Sequence, residues 1–405
     1  MDILELMSNN KITTNMKKIK LLTLLMAAPM LWSCSAEDPM PPLTDATEIE
    51  DPNFVPLDEA IENADRILAS AFGSKTRSSR NVKSVEFFGQ NTRSSENAGS
   101  YGYYIVNYEN DGGFALLSAD RRLLPVYAFS DEGSLSIRDT IESEGLRAYM
   151  NTLPEINGDY KPYVPRDSFP LQIFDRLRIE RGPLLHDNVR KRWKETSPFN
   201  QYCLIPSTGE PGRAGSAAVA IGMFLSYHKQ PKSYKGKSYD WDGMIAGTKD
   251  SDVAHLFKSI GEQDNMNIEY GKSYSSCQFM NVLTTMRHFG YGRALGSSGT
   301  TEFISWIAAC EMNYARDNLI LVYGFDTIRN KYYMWIMDGY AATESTADIK
   351  DRSKRTYYLH CAWGNGGRND GFYHYDESSE SMGPDNRRYK NLVMSYGYKY
   401  NKYLD

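Results

Sequence analysis

The chain has 405 residues and a formal net charge of −5, and 41% of its residues are hydrophobic. This length allows two or three domains and a sizeable core. The acidic balance excludes an extended basic surface, so we do not expect nucleic acid as a partner. The sequence contains neither a phosphate-binding glycine loop nor a metal-ligand spacing, so we expect no cofactor and no metal ion.

The N-terminal residues carry an export pattern. A basic segment, 16–20, precedes an apolar run, 21–32, which is typical of a secretory signal and is too short to span a bilayer. The run ends at Cys34 in a sequence that resembles a lipoprotein cleavage site with this cysteine lipidated. The alternative is an ordinary signal peptide with an incidental cysteine.

We therefore predict a signal peptide over 1–34 and a proline- and acid-rich tether over 35–53. The protein is expected to be secreted and held by its lipid anchor at the outer membrane or cell surface of a Gram-negative bacterium.

The chain after the tether begins with a helix and a group of strands. Apolar residues recur with a helical period over 57–72. Alternating and aromatic residues over 101–130, interrupted by Asp111-Gly112-Gly113, predict a hairpin followed by another strand. The charged, proline-punctuated segment 136–182 is interpreted as a linker with one helical stretch.

The stretch from Arg213 to Pro231 is the most informative part of the sequence. Residues 217–225 are apolar on every face, which predicts a helix buried all round. Ser216 stands at its start, either as an ordinary helix cap or at a position suited to a nucleophile, because free amides and the helix dipole favour negative charge there.

This stretch resembles the nucleophile helix of the streptopain-like cysteine peptidases, which have a papain fold. The match rests on Gly215 and on the residues Tyr227-His228-Lys229-Gln230-Pro231, and it places the family's cysteine at Ser216. A second, independent likeness covers 104–133 and resembles the pro-domain of the same family, also found as a separate inhibitor.

The resemblance implies an α+β protein with three parts after the tether. They are an inhibitor-like α+β pro-domain over 54–135, the linker over 136–182 and a papain-like cysteine peptidase domain over 183–405. In the peptidase domain, a buried helix packs against an antiparallel sheet. The sequence itself predicts strands at 319–323, 335–337, 357–361 and 371–373, and helices at 276–289 and 303–313.

The family's four catalytic positions are all substituted in this sequence. The nucleophile position is Ser216, the histidine falls on Tyr333, the orienting asparagine on Ala362 and the oxyanion-binding glutamine on Glu195. A phenol is protonated at neutral pH and accepts a proton poorly, and a carboxylate repels an oxyanion. We therefore expect a catalytically inactive homologue.

Other positions of the family pattern are kept, namely Gly215, Trp335, Trp363 and Gly364. With the scaffold present and the chemistry lost, the former active-site cleft is expected to bind a peptide or protein ligand, and the pro-domain to be an intramolecular partner.

Two alternatives stay open. One is an active hydrolase that uses Ser216 as the nucleophile and His360 as the base. The simpler interpretation of His360 is a hydrogen-bonded core residue. The other is an inhibitor whose pro-domain blocks an active peptidase encoded elsewhere. The cysteines other than Cys34 are expected to be buried free thiols: Cys203, Cys277, Cys310 and Cys361.

Overall fold

The computed structural model describes a defined part of the chain: residues 53–73, 80–90, 101–138, 143–150, 153, 176–181, 185–292, 296–299, 319–326, 330–344, 356–376, 381–382 and 393–396. The predicted signal peptide with Cys34, the helix at 303–313 and Cys310 lie outside these residues and stay predictions.

The described helices lie mostly before the C-terminal strands. They are α1 (Leu57–Phe72), α2 (Glu144–Met150), α3 (Asp187–Arg192), α4 (Ser216–His228), α5 (Trp241–Ala246), α6 (Asp250–Gly261) and α7 (Val282–His288), the last preceded by a 3₁₀ turn. Within the described ranges, no helix is long and apolar enough to cross a membrane.

The described strands are β1 (Val82–Gln90), β2 (Tyr101–Tyr108), β3 (Phe114–Ser118), β4 (Val126–Ser130), β5 (Arg176–Arg181), β6 (Ser233–Tyr234), β7 (Lys237–Ser238), β8 (Gly296–Gly299), β9 (Ile320–Asp326), β10 (Lys331–Glu344), β11 (Tyr357–Ala362), β12 (Gly371–Asp376), β13 (Ser381–Met382) and β14 (Val393–Tyr396). Twelve of them form one sheet. Its order is β1-β2-β3-β4-β12-β11-β10-β9-β14-β8, with β13 beside β12 and β5 beside β10, and all pairs are antiparallel. A separate two-stranded ribbon joins β6 to β7.

The N-terminal hairpin forms where its sequence predicts it. The turn between β2 and β3 places Asn110 and Asp111 at φ 56° and 57°, a left-handed conformation that these residue types tolerate. Gly113 follows at φ 91°, and a side chain there would lie 1.9 Å from the carbonyl oxygen of Ser130. Only glycine fits this position, so the local sequence determines the register of the hairpin.

Helix α4 is the centre of the larger core. Every residue from Ser216 to Ser226 is buried, as expected for a helix that is apolar on all faces. It packs against α6 on one side and against Met334 and Ile336 of β10 on the other. The α+β prediction, with a buried helix on an antiparallel sheet, is confirmed.

The structure differs from the sequence interpretation at three places. The segment 136–182, interpreted as a linker with one helical stretch, contains this helix as α2 but also an unexpected strand, β5, which pairs with β10. Strand β1 was not predicted. The helix expected over 276–289 is regular only from Phe279, because Glu269 and Ser276 form a β-bridge that holds the preceding residues in a loop.

Candidate functional site

The start of α4 lies against β10. Gly215 is the N-cap, at φ 88°, and Ser216 is the first helical residue. The Ser216 Oγ accepts a hydrogen bond from the backbone N–H of Met334, 3.2 Å away, and the serine is only 8% exposed. Ser216 is therefore not the cap of its helix, as one sequence interpretation had it, but is joined to the neighbouring strand.

Tyr333 is the residue next to this contact. It is buried and lies opposite Gly324 in the β9–β10 pair. Its ring packs edge-on against Tyr274, with 6.0 Å between ring centroids, and the Lys331 ammonium stands 3.8 Å above the Tyr274 ring. Ser216 thus contacts the backbone of the residue after Tyr333, and the Tyr333 ring packs on an aromatic ring that also carries a lysine ammonium.

Glu195 forms a buried ion pair beside the start of α4. Its Oε2 lies 3.2 Å from Nε of Arg213, and both side chains are at most 10% exposed. Its backbone carbonyl accepts from the N–H of Ala214 at 2.8 Å. The carboxylate is therefore held near the helix start by a partner that neutralises its charge.

Two tryptophans, one from β10 and one directly after β11, lie together next to these residues in the chain. The rings of Trp335 and Trp363 are 5.2 Å apart, and both residues are buried. Ala362, before Trp363, lies opposite Ile336 in the β10–β11 pair and belongs to the core around α4. We call the residues Ser216, Tyr333, Glu195, Ala362, Trp335 and Trp363 the Ser216 site.

Gly364 allows the turn after Trp363 to approach α4. It has φ 72°, and a Cβ there would lie 2.7 Å from Val219. The close backbone approach and the left-handed conformation both require glycine at this position.

Helix α2 packs directly on the tryptophans. A Cβ added to Gly145 would lie 3.0 Å from Cε3 of Trp363 and 4.0 Å from Cε3 of Trp335. The Tyr149 ring lies 6.4 Å from that of Trp363, and its hydroxyl donates to the Tyr127 carbonyl at 2.9 Å. A segment from the predicted linker therefore covers the tryptophan side of the Ser216 site.

Two family models match the chain in the order that the sequence suggests. The Spi protease inhibitor family matches residues 52–155, and the peptidase C10 family matches residues 193–373. The chain belongs to the streptopain-like peptidases, with an inhibitor-like pro-domain. Streptopain of Streptococcus pyogenes is 20% identical over 318 residues, covering 67% of this chain and 73% of the relative.

Two solved structures from Prevotella intermedia are also similar to this streptopain-like chain. A prointerpain A fragment gives a TM-score of 0.46 at 16% identity, covering 78% of this chain and 99% of that one. Active interpain A gives a TM-score of 0.39 at 15% identity, covering 56% of this chain and 98% of that one.

His360, the base suspected from the sequence, has a different partner. Its Nδ1 is hydrogen-bonded to Oδ1 of Asp338, which lies at a bulge in β10, and both residues are buried. The imidazole also packs on the Phe372 ring at 4.9 Å. These contacts give His360 the role of a hydrogen-bonded core residue.

The described cysteines do not provide a replacement nucleophile for the Ser216 site. Burial, together with the nearby charge of Glu195, raises the pKa of the Cys277 thiol to about 12. Burial likewise raises the pKa of Cys203 to about 11 and that of Cys361 above its usual range. All three are free thiols, and a protonated thiol is a poor nucleophile.

Within the described part of the chain, no three His, Cys, Asp or Glu side chains gather where they could hold a metal ion. The sequence reasoning missed two features of the site, Arg213 and the cover formed by Gly145. Arg213 was visible as a lone cation before an apolar helix, but its pairing with an acid 18 residues upstream is a tertiary contact.

Proposed function

We propose that the protein is a catalytically inactive streptopain homologue that binds a peptide or protein at the Ser216 site. The observation that carries the proposal is the hydrogen bond from Met334 N–H to the Ser216 Oγ, with Tyr333 in the position of the base. A serine needs a positioned proton acceptor to attack a carbonyl carbon. A phenol, with an ordinary pKa near 10, does not supply one at neutral pH.

The remaining catalytic positions support the same conclusion. Ala362 has no polar atom that could orient an imidazole. Glu195 stands at the sequence position of the family's oxyanion donor, and its carboxylate, which is paired with Arg213, would repel an oxyanion. Restoring one residue alone would therefore leave the other requirements unmet.

Binding is favoured by the aromatic groups around Ser216. Trp335 and Trp363 pack against each other, and Tyr333 packs against Tyr274, which has Lys331 above its ring. Flat aromatic faces and a cation suit the apolar side chains and carbonyl groups of an extended peptide. We propose that a ligand reaches the tryptophans by displacing α2.

The proposal includes the location of the protein. The basic and apolar residues before Cys34 and the lipoprotein-like sequence at that cysteine support secretion and a lipid anchor on the surface of a Gram-negative bacterium. Metabolic labelling with a radioactive fatty acid tests it: label in the parent and its loss in Cys34→Ala is expected, and an unlabelled parent would contradict the anchor.

Activity is tested with casein and residues 35–405, before and after limited trypsin, beside the Ser216→Ala variant. An active streptopain-like enzyme serves as positive control. We expect the parent and the variant to be equally inactive. Cleavage by the parent that is lost in Ser216→Ala would make Ser216 a working nucleophile and overturn the proposal.

Binding is tested with a peptide library on the same protein, using Trp363→Ala to remove one aromatic face. Binding by the parent that weakens in the variant is expected. If the parent binds none of the peptides, the cleft-binding function is wrong.

A second candidate function follows from the match of residues 52–155 to the Spi protease inhibitor family. The protein would then block an active relative through its pro-domain. Titrating a streptopain-like enzyme with the full chain tests it: stoichiometric loss of casein cleavage supports inhibition, whereas full activity at excess chain excludes it.

A further inference from the structure

The pro-domain and the peptidase domain share one sheet. Strand β4 of the pro-domain pairs with β12 of the peptidase domain, with Phe129 opposite Phe372 and Ala128 opposite Tyr373. The Phe129 and Phe372 rings stack at 5.1 Å. The sheet is thus continuous between the two parts.

Side chains from both parts also form one hydrophobic core under α1. Pro-domain residues of α1 and β2–β4 pack there with buried residues from the rest of the chain, which are Leu177, Ala341, Tyr358 and Phe372. The Leu177 N–H donates to the Ser70 Oγ of α1 at 2.8 Å. Separating the parts would expose this core to water, which is unfavourable in proportion to its apolar area.

A buried arginine joins the parts electrostatically. Arg190 of α3 forms an ion pair with Glu132, in the loop after β4, and its Nη1 lies 3.7 Å from Oδ2 of Asp370. Lys191 Nζ contacts the other oxygen of Glu132 at 2.9 Å. Asp187, which is mostly exposed, is a third acid that pairs with Arg190.

The same region supports the turn that carries Trp363. The Asp370 Oδ1 accepts from the Trp363 N–H at 3.0 Å. The Ser134 N–H, on the pro-domain, donates to the Arg368 carbonyl at 2.8 Å, and Asn369 Nδ2 donates to the Ser134 carbonyl at 2.9 Å. Pro-domain backbone therefore holds residues 363–370 in place, and with them one side of the Ser216 site.

We propose that the pro-domain is a permanent part of the working protein, joined through Arg190, and stays in place when the chain between α2 and β5 is cut. This inference rests on the proposed function, because a binding protein with no chemistry to restrain has no need to release the pro-domain. The continuous sheet, the common core and the Arg190 cluster are three independent connections that survive such a cut.

The test uses the full chain with a site-specific protease sequence inserted after Gly158. The cut protein is passed over a sizing column at micromolar concentration under native conditions. We expect both fragments to elute together at the position of the uncut chain, and to separate in denaturant. Separation of folded fragments under native conditions would overturn the proposal.

The role of Arg190 is tested by Arg190→Met, with Arg192→Met as the matched control. Arg192 lies on the same helix, but its ion pair is with Asp250, inside the peptidase domain. Removing one partner of a buried cluster is strongly destabilising, so we expect fragment affinity to fall at least about tenfold in Arg190→Met and to stay nearly unchanged in Arg192→Met. Equal effects of the two variants would contradict the assignment.

Two further variants make the result independent of folding defects. Arg190→Lys keeps the positive charge and is expected to retain most of the affinity between the fragments. Glu132→Gln removes the carboxylate charge of the pro-domain partner at nearly constant size, and it is expected to weaken that affinity. Unchanged fragment affinity in Glu132→Gln would contradict the proposal that the Arg190–Glu132 ion pair joins the two parts. Because fragment association is measured without any peptide, its outcome does not depend on whether the protein binds one.

Discussion

The hydroxyl of Ser216 and the backbone amide of Met334 are joined by a hydrogen bond of 3.2 Å. This bond links the first residue of α4 to the strand that carries Tyr333. It stabilises the junction between helix and strand, and it occupies a lone pair of the oxygen that would have to attack a substrate. The contact therefore gives Ser216 a structural role that requires no acid–base partner.

The helix start should still be able to activate a thiol if a base is supplied. In Ser216→Cys alone, we expect the introduced thiol to alkylate as slowly as an ordinary one. In Ser216→Cys with Tyr333→His, an imidazolium beside the helix N-terminus should lower the thiol pKa by about 2 units or more. The pH dependence of iodoacetamide labelling, read by peptide mass spectrometry, measures the difference.

The Cys277 thiol is the internal control for that experiment, because burial raises its pKa to about 12 and should keep it slow in both variants. Identical labelling curves for the single and double variants would mean that the histidine position no longer faces the helix start.

The Glu195–Arg213 pair should behave as one unit in stability measurements. In Glu195→Gln, the charge of Arg213 is left buried without its partner, which should lower the free energy of unfolding by about 3 kcal/mol. The double variant Glu195→Gln with Arg213→Met should recover more than half of this loss. Urea unfolding of the parent, Glu195→Gln, Arg213→Met and the double variant gives the coupling energy, and additive effects would show that the pair is not coupled.

The sequence was sufficient for elements whose local pattern is strong. Helix α1, the β2–β3 hairpin and the buried helix α4 follow from apolar spacing and turn residues, and the family resemblance predicts substituted catalytic positions at Ser216 and Tyr333. These features depend on residues close together in the chain, or on motifs of fixed spacing.

The missed features depend on contacts between distant residues. Strand β5 reads as part of a linker because its six residues are mostly charged, and only the pairing with β10 makes it a strand. Helix α2 was expected only as a helical stretch, and nothing local indicates that Gly145 would meet Trp363. Likewise, the pairing of β4 with β12 joins parts of the chain that the sequence assigns to separate domains.

Asp370 should give the protein a pH-dependent stability. Burial, helped by the charge of Asp338, raises its pKa to about 7, although Arg190 and the Trp363 N–H act in the opposite direction. Because the folded state binds this proton more tightly, the stabilisation is complete below about pH 4 and is lost as the pH rises through about 7. Between these limits, the group should lower the free energy of unfolding by about 1.4 kcal/mol per pH unit.

Asp370→Asn removes this titration, so the variant should be more stable than the parent at pH 8, with the difference shrinking toward pH 5. Denaturant unfolding at several pH values measures both curves. Asp187→Asn, which changes an exposed acid of the same cluster, is the control. Its free energy of unfolding should depend on pH in parallel with that of the parent. Parallel curves for Asp370→Asn would show that Asp370 is ionised throughout.

Gly145 should determine how tightly α2 covers the tryptophans. A Cβ at this position meets the rigid Trp363 ring at 3.0 Å, so Gly145→Ala should loosen the helix slightly and Gly145→Val more. Overpacking of this kind costs about 1–3 kcal/mol, which corresponds to amide exchange in α2 that is about 5-fold to about 150-fold faster. Hydrogen exchange by mass spectrometry resolves this helix from α1, which should exchange as in the parent.

If α2 competes with ligand for Trp335 and Trp363, the Gly145→Val variant should also bind peptide more tightly than the parent. Faster exchange without tighter binding would mean that the ligand does not occupy the surface under α2.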